Sequence, residues 1–376
     1  MKKRPIKILW FSWKDLKNPT AGGAEIVDEE IAKRLVKEGY EVIFVVAGFE
    51  GGKSVEKING YQIIRLGNKW TVHWLAYRYY KKNLVGWADL VIDGYFAIPF
   101  FCKFYAKERN ILFIHQICES IWFYQMWFPL NILGYLAEKL VLLTLKHSNV
   151  IVVSKSVKSD LKRYGFEEDK IAIITLGIRI KPVENLAEIK KYREPTVLSF
   201  GSIRPMKRPD HILKAFGIAK REIPDLKFVI AGGPSGAYGR RFLEEIKKSK
   251  YQNSISYYGQ VSEAKKIELM HKAHIFCMTS VHEGWGLTVT EAASQGTPTI
   301  AYNVNGLRNS VQDKKTGILC RKNNPKELAK EIVKLFNNQP LYNTLQKSGW
   351  EFSKQINFSR SVENFTEIID GLINNK

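Results

Sequence analysis

The run His282-Glu283-Gly284-Trp285-Gly286-Leu287-Thr288-Val289-Thr290-Glu291 decides how the rest of the chain is read. Just before it, Ile275-Phe276-Cys277-Met278 is an unbroken apolar run of strand length. After it, a helical pattern continues through Ala292-Ala293-Ser294 and stops near Gly296-Thr297-Pro298. The sequence therefore predicts a strand, a glycine loop and a helix start. Gly284 and Gly286 let the backbone approach a ligand that a Cβ would repel. The free N–H groups of Leu287 and Thr288, at a helix N-terminus, favour an anion. Glu283 stands before the loop and Glu291 about one turn into the helix, so a bound anion would have a carboxylate on each side. Taken alone, the run fits a packing turn equally well, and its context has to decide.

Around it the same alternation recurs. Thr196 to Phe200 reads as a strand leading into the loop Gly201-Ser202-Ile203-Arg204-Pro205-Met206-Lys207-Arg208-Pro209, with a helix from Asp210. Phe228 to Ala231 runs into Gly232-Gly233-Pro234, and Ile255 to Tyr258 into Gly259-Gln260-Val261. The Gly233/Gly236/Gly239 spacing lacks the Gly-Lys-Ser/Thr ending of a P-loop and reads as a turn. Arg204 and Lys207 can together neutralise a diphosphate. Lone lysines and arginines are ordinarily solvated surface. These two stand out because they, the glycine loop and the Leu287 helix would open on one sheet edge.

The N-terminal half repeats the pattern. Ile6 to Phe11 is a first strand, and Lys17 to Glu25 holds the pair Gly22-Gly23 ahead of a helix. Val27, Ile31 and Leu35 recur along that helix, and Gly39 closes it. Doubly wound folds bind phosphates at such a first turn, although this is no GxGxxG fingerprint and a purely packing glycine is as good a reading. Three further apolar runs end in polar residues: Leu90 to Ile92 at Asp93, Ile111 to Ile114 at His115, and Asn149 to Val153 at Ser154. Parallel sheets bind ligands at such ends, which singles out His115, though a lone histidine is more often a structural hydrogen-bonder. The aromatic stretch Ile121 to Pro129 reads first as packed core, with a stacking or lipid-contacting rim as the alternative. Ile180 to Glu194 loosens into charged, proline-bearing sequence and reads as an interdomain linker.

Composition bounds these readings. A chain of 376 residues with 45% hydrophobic and 25% charged positions builds two or three full cores. Cys102, Cys118, Cys277 and Cys320 lie far apart, which predicts reduced thiols rather than disulfides or a zinc site. The basic start Met1-Lys2-Lys3-Arg4-Pro5 has no signal-peptide pattern. Pro129 to Leu145 is too short to span a bilayer and is interrupted by Glu138-Lys139. The expected location is the cytoplasm, with contact to the inner membrane face. A net charge of +21 predicts an anionic partner. The lysines are scattered and no nucleic-acid motif is present, so nucleic acid is a weak candidate.

Taken together, these residues resemble a retaining glycosyltransferase of family 4 over almost the whole chain. Glu283 to Glu291 matches that family's E-x7-E motif, with Trp285 at its aromatic position, and Gly22-Gly23-Ala24-Glu25 matches its N-terminal loop. Gly201 to Lys207 resembles its Gly-Arg-Leu-x-x-x-Lys loop, and Gly306-Leu307-Arg308 with Thr316-Gly317 its downstream segment. One departure stands out: Ser202 occupies the family's arginine position, and Arg204 comes two residues later.

The resemblance implies an α/β chain of GT-B architecture, two Rossmann-like doubly wound domains facing across a cleft. The domains expected are an acceptor-side one over 1–180 and a donor-binding one over 195–352, with a last helix over 358–373 packing back on the first. It implies transfer of a sugar from a nucleotide-diphosphate donor to a hydroxyl acceptor with retention of configuration. Glu291 would bind the ribose and Glu283 face the donor sugar, while amides from Gly284 through Trp285, Gly286 and Leu287 to Thr288 hold sugar and phosphate. The base would pack near Val261. His115 would lie near the sugar, and Gly22 and Gly23 would give the diphosphate room. No acidic metal pair stands in a suitable loop, so no metal or other cofactor is expected, and Lys207, Arg204 and the amides would do its work. Basic and aromatic positions at Trp70, Trp74, Arg78, Lys81 and Lys82 suggest an interfacial helix and a lipid-linked acceptor. Two rivals remain. A glycoside hydrolase needs its carboxylates across one bond, and a non-catalytic GT-B-like subunit would bind without turnover.

Overall fold

The computed structural model describes residues 4–374; Met1 to Lys3 of the basic start lie outside them. The chain divides into two units. The first holds residues up to Cys118, Tyr135–Gly177 and the segment from Asn357 onward; the second holds Glu119–Gly134 and Ile178–Ile356.

The first unit carries strands β1 (Lys7–Phe11), β2 (Glu41–Ala47), β3 (Val55–Ile58), β4 (Tyr61–Leu66), β5 (Leu90–Tyr95), β6 (Arg109–Ile114), β7 (Val150–Val152) and β8 (Ile171–Ile173). They form one sheet in the order β3-β4-β2-β1-β5-β6-β7-β8, parallel except for the β3–β4 pair. The central strands are apolar on both faces, as a sheet covered by helices on each side requires. Leu9 and Phe11 of β1 pack with Val45 and Tyr80 on one face. Trp10 stacks on Phe44 and on Phe365 of the Phe358–Asn374 helix on the other. That terminal helix is bonded to this unit again where Tyr40 donates to Asp370 at 2.8 Å.

The second unit carries β9 (Thr196–Phe200), β10 (Lys227–Ala231), β11 (Ile255–Tyr257), β12 (Ile275–Met278), β13 (Thr299–Tyr302) and β14 (Gly317–Cys320). Its order is β11-β10-β9-β12-β13-β14, all parallel. The order reverses between β9 and β12, the switch point at which such sheets bind ligands beyond their carboxyl ends.

Two expectations change. The stretch from Ile180 to Glu194 is no loose linker. Its Lys191 Nζ donates to His271 O, Gly296 O and Thr297 Oγ1 at 2.7–2.9 Å, and burial pushes the ammonium down to about 7. Charged sequence here marks a segment tied to its domain rather than a free one. The aromatic stretch after Ile121 is not packed core either: Trp127 and Phe128 are 70% and 71% exposed. Periodicity gives a segment's shape but not whether anything covers it.

Candidate functional site

In the second unit the carboxyl ends of β9 and β12 lead into the Gly201–Lys207 and Thr279–Gly286 loops, and the two are bonded into one assembly. Thr279 Oγ1 donates to the Lys207 and Arg208 carbonyls at 2.9 and 2.8 Å. Val281 N–H donates to Met206 O at 2.8 Å. Arg208, at φ +49°, sends its guanidinium back to Thr279 O and Ser280 O at 2.7 and 2.8 Å, over the Tyr302 ring. A planar five-donor group suits this double carbonyl contact.

That assembly fixes Glu283, which is buried. Its carboxylate is bonded to Lys207 Nζ. Burial pushes its pKa up, but Lys207, with help from the charge of Arg204, holds it below the ordinary carboxylate value. Arg204 thus lies within electrostatic reach of Glu283, and its buried Nε has no hydrogen-bond partner. Ser202, at the position where the family has arginine, is exposed. Beneath Glu283, Gly306 at φ +78° lets the next loop come close: a Cβ there would stand 2.1 Å from Glu283 O.

Gly286, at φ +91°, caps the Leu287–Ser294 helix, and a Cβ there would meet Leu307 at 2.7 Å. The loop thus ends where the unbonded N–H groups of a helix begin. Trp285 Nε1 donates to Thr290 Oγ1 at 3.0 Å, so the indole is pinned along this turn. Glu291 is buried in the same helix. Its Oε1 accepts from Lys266 Nζ at 2.6 Å, whereas its buried Oε2 has no partner. Val261 is partly buried against the core cluster that Phe200 also packs on.

The remaining predicted residues belong to the first unit. Gly22 precedes the Gly23–Lys37 helix, and its N–H is capped by the Glu25 carboxylate at 2.6 Å. His115, just past β6, meets Asp28 of that helix, Nε2 to Oδ1 at 2.7 Å. Asp28 is buried, which raises its pKa against the pull of His115, and Ser12 Oγ donates to its other oxygen at 3.3 Å.

The sequence model described as "Glycosyl transferases group 1" matches residues 184–352, and "Glycosyltransferase Family 4" matches 21–181. The chain belongs to the family 4 glycosyltransferases. An uncharacterized glycosyltransferase of Haemophilus influenzae is 27% identical over 93% of this chain and 97% of its own length. Among solved structures, sucrose-phosphate synthase of Thermosynechococcus elongatus superposes with a TM-score of 0.80 at 19% identity, covering 99% of this chain and 100% of that one. The Anabaena protein HepE, in complex with UDP and glucose, gives 0.74 at 16%, covering 97% and 100%. These likenesses carry the fold, which is GT-B: two Rossmann-like α/β units.

Within this glycosyltransferase the predicted residues fall into two groups, one per unit. Arg204, Lys207, Glu283, Trp285, Gly286 and Glu291 gather on the switch-point side of the second sheet, and Gly22, Gly23 and His115 around one helix of the first. Four contributors escaped the sequence reading: Arg208 and Gly306, which set Glu283; Lys266, which holds Glu291; and Asp28, which holds His115. Arg208 and Gly306 stand inside segments already quoted. Lys266 and Asp28 lie mid-helix, 25 and 87 residues from their partners, and no local pattern signals them.

Proposed function

We propose that this glycosyltransferase moves a sugar from a nucleotide-diphosphate sugar to a hydroxyl acceptor, with retention of anomeric configuration and without a metal. The observation that carries this reading is the buried Glu283 held by Lys207 beside Arg204, at the mouth of the switch point. One carboxylate and two cations leave a net positive charge where a helix N-terminus also opens. Breaking a glycosyl–phosphate bond builds negative charge on the leaving diphosphate, and fixed positive groups answer that need. Glu291 Oε2 is a buried acceptor without a donor, which ribose hydroxyls would supply. HepE, with UDP and glucose bound, belongs to the same fold, and retention accords with family 4 membership.

In the first unit, Gly22 and Gly23 at a helix start and His115, oriented by Asp28, are that unit's own contribution to this reading. The acceptor is lipid-linked and met at the cytoplasmic face of a membrane, in cell-surface glycan or glycolipid synthesis. Exposed aromatic and basic residues of the first unit support this part: Trp70, Trp74, Arg78, Lys81 and Lys82. The test is a panel of nucleotide sugars assayed for hydrolysis and transfer in EDTA, with the product anomer read by NMR. A donor turned over in EDTA to a product of unchanged configuration is expected; strict metal dependence or inversion refutes the reading.

A further inference from the structure

The Pro209–Ala219 and Pro325–Phe336 helices of the second unit share one core, in which Ile212 and Phe216 of the first join Leu328 and Ile332 of the other. Outside that core a groove of about 880 Å³ opens between the two helices and the turn at Ser249–Tyr251. Its lining carries six cations, Lys214, Arg221, Lys250, Lys322, Lys326 and Lys330, against one carboxylate, that of Glu327. All six are exposed. Lys214 pairs with Asp210 at 3.2 Å, one turn earlier in its helix; the other five make no ion pair among the described residues. Arg204, Lys207, Glu283 and Glu291 are not part of this lining.

These cations work against the fold's own stability. Lys326 lies in the first turn of its helix, the positive end of the helix dipole, where a lysine is unfavourable. Lys330 follows it by four residues as a like charge on the same side. Local conflicts of this kind are characteristic of functional sites. Gly217, which also lines the groove, is an independent sign. Glycine inside a helix is costly relative to alanine, and packing does not demand it here. A Cβ at Gly217 would stand 3.7 Å from Tyr251 Cε2, an ordinary contact. The missing methyl group instead leaves the groove wall open.

Size and chemistry select the occupant. The volume falls in the range of small-molecule pockets, roughly 300–1,000 Å³, and a flat lipid surface would meet only the rim of such a concavity. Single-stranded nucleic acid needs open ring faces on which bases stack. Here Lys250 Nζ already stands 5.0 Å over the Tyr251 ring, and Phe216 meets that ring edge-on. A single phosphate cannot engage cations spread over two helices, two of them about 6 Å apart along one helix alone. Linked phosphates can, each accepting charge-assisted hydrogen bonds. We propose that this groove binds a soluble small molecule carrying three or more linked phosphate groups. The site is separate from the donor's and does not depend on the function proposed above.

The test is calorimetric titration of the full chain in EDTA with inorganic tripolyphosphate, ATP and orthophosphate. A triphosphate also suits the donor site, so each titration is repeated on Lys207→Ala. Tripolyphosphate is expected to bind both proteins, at least about ten-fold more tightly than orthophosphate. Arg221→Gln/Lys326→Gln/Lys330→Gln changes exposed positions only. Introduced into both proteins, it is expected to weaken that binding by at least about ten-fold and to leave thermal unfolding unchanged. Gly217→Ala keeps every cation and narrows the groove, so a lower affinity with a higher unfolding temperature is expected. ATP distinguishes the sources of the chemistry: affinity equal to that of tripolyphosphate assigns a free phosphate chain, and tighter binding a nucleotide. Tripolyphosphate binding that vanishes with Lys207, or that the triple substitution leaves untouched, overturns the inference. So does a groove that takes single-stranded RNA or phosphatidylglycerol vesicles, sensitive to the same substitutions, while ignoring tripolyphosphate.

Discussion

Asp93 and Glu283 are both buried acids at the carboxyl end of a parallel strand, yet their surroundings differ. Asp93, near the end of β5, accepts N–H bonds from Phe100 and Cys102 at 2.7 and 2.8 Å, and burial pushes its pKa up to about 6. It organises the turn beyond its own strand. Glu283, past β12, is held by Lys207 with Arg204 near, and its pKa is lowered despite burial. A strand end alone does not make a site. What separates the two is the cation: a carboxylate bonded to an ammonium sits in a polar, ligand-ready locus, and one held by the N–H groups of its own turn is a local fastener.

The sharpest way to break this contrast is Lys207→Ala. It removes the positive charge proposed to face the leaving diphosphate and takes from buried Glu283 its bonded ammonium. Turnover is expected to fall on the order of a hundred- to a thousand-fold in steady-state kinetics. A loss of only two- or three-fold would reduce Lys207 to a packing role. Arg204→Ala should cost less, since its charge reaches Glu283 without a hydrogen bond to it.

Gly306→Ala probes the same carboxylate from below. The added Cβ collides with Glu283 O, at a φ that disfavours side chains, so the loop must shift. A strain of about 1–3 kcal/mol should appear as a roughly ten- to hundred-fold loss of kcat/KM, with Gly39→Ala, whose Cβ meets nothing, as the control. Comparable activity in both variants would show that Glu283 need not stay where it is.

The two glutamates of the motif can be separated by kinetics. Glu291 keeps an unpartnered oxygen, so Glu291→Ala should raise the donor KM by about ten-fold with little change in kcat. Glu283→Ala should chiefly lower kcat, because contacts near the reacting carbon differ between ground and transition states. Equal effects of both changes on both parameters would merge the two roles into one.

Asp93→Asn is expected to move donor kinetics least of all. Its signature lies in stability. With a folded pKa near 6 against an ordinary 3.8, the folded state binds the extra proton between those values. This group's contribution is therefore fully present below about pH 4 and is lost as pH rises through about 6. Unfolding followed by denaturant across pH 4–7 should show that slope in the wild type and a flatter one in the variant.

Much of this was readable beforehand because local rules agree along the chain. The Ile275–Met278 strand and the helix from Leu287 stand where the apolar run and the glycine loop predict them. Two kinds of fact were not local. Charge partners such as Lys266 for Glu291 come from another helix, chosen by packing rather than spacing. Exposure is the other: the leucines of 130–145 have the same pattern whether a core or a solvent-facing surface meets them, and only the fold decides. Charge likewise misled at Lys191, where lysine in a proline-bearing stretch looks solvated but is bonded to three oxygens of its unit.

The central claim is that Lys207 and Glu283 mark a metal-independent nucleotide-diphosphate site. Calorimetric titration with UDP, GDP and ADP in EDTA, on wild type and Lys207→Ala, tests it most directly. The account predicts that at least one diphosphate binds the wild type in EDTA and binds the variant at least about ten-fold more weakly. Binding that appears only with added magnesium or manganese, or that is equal in the two proteins, would contradict it.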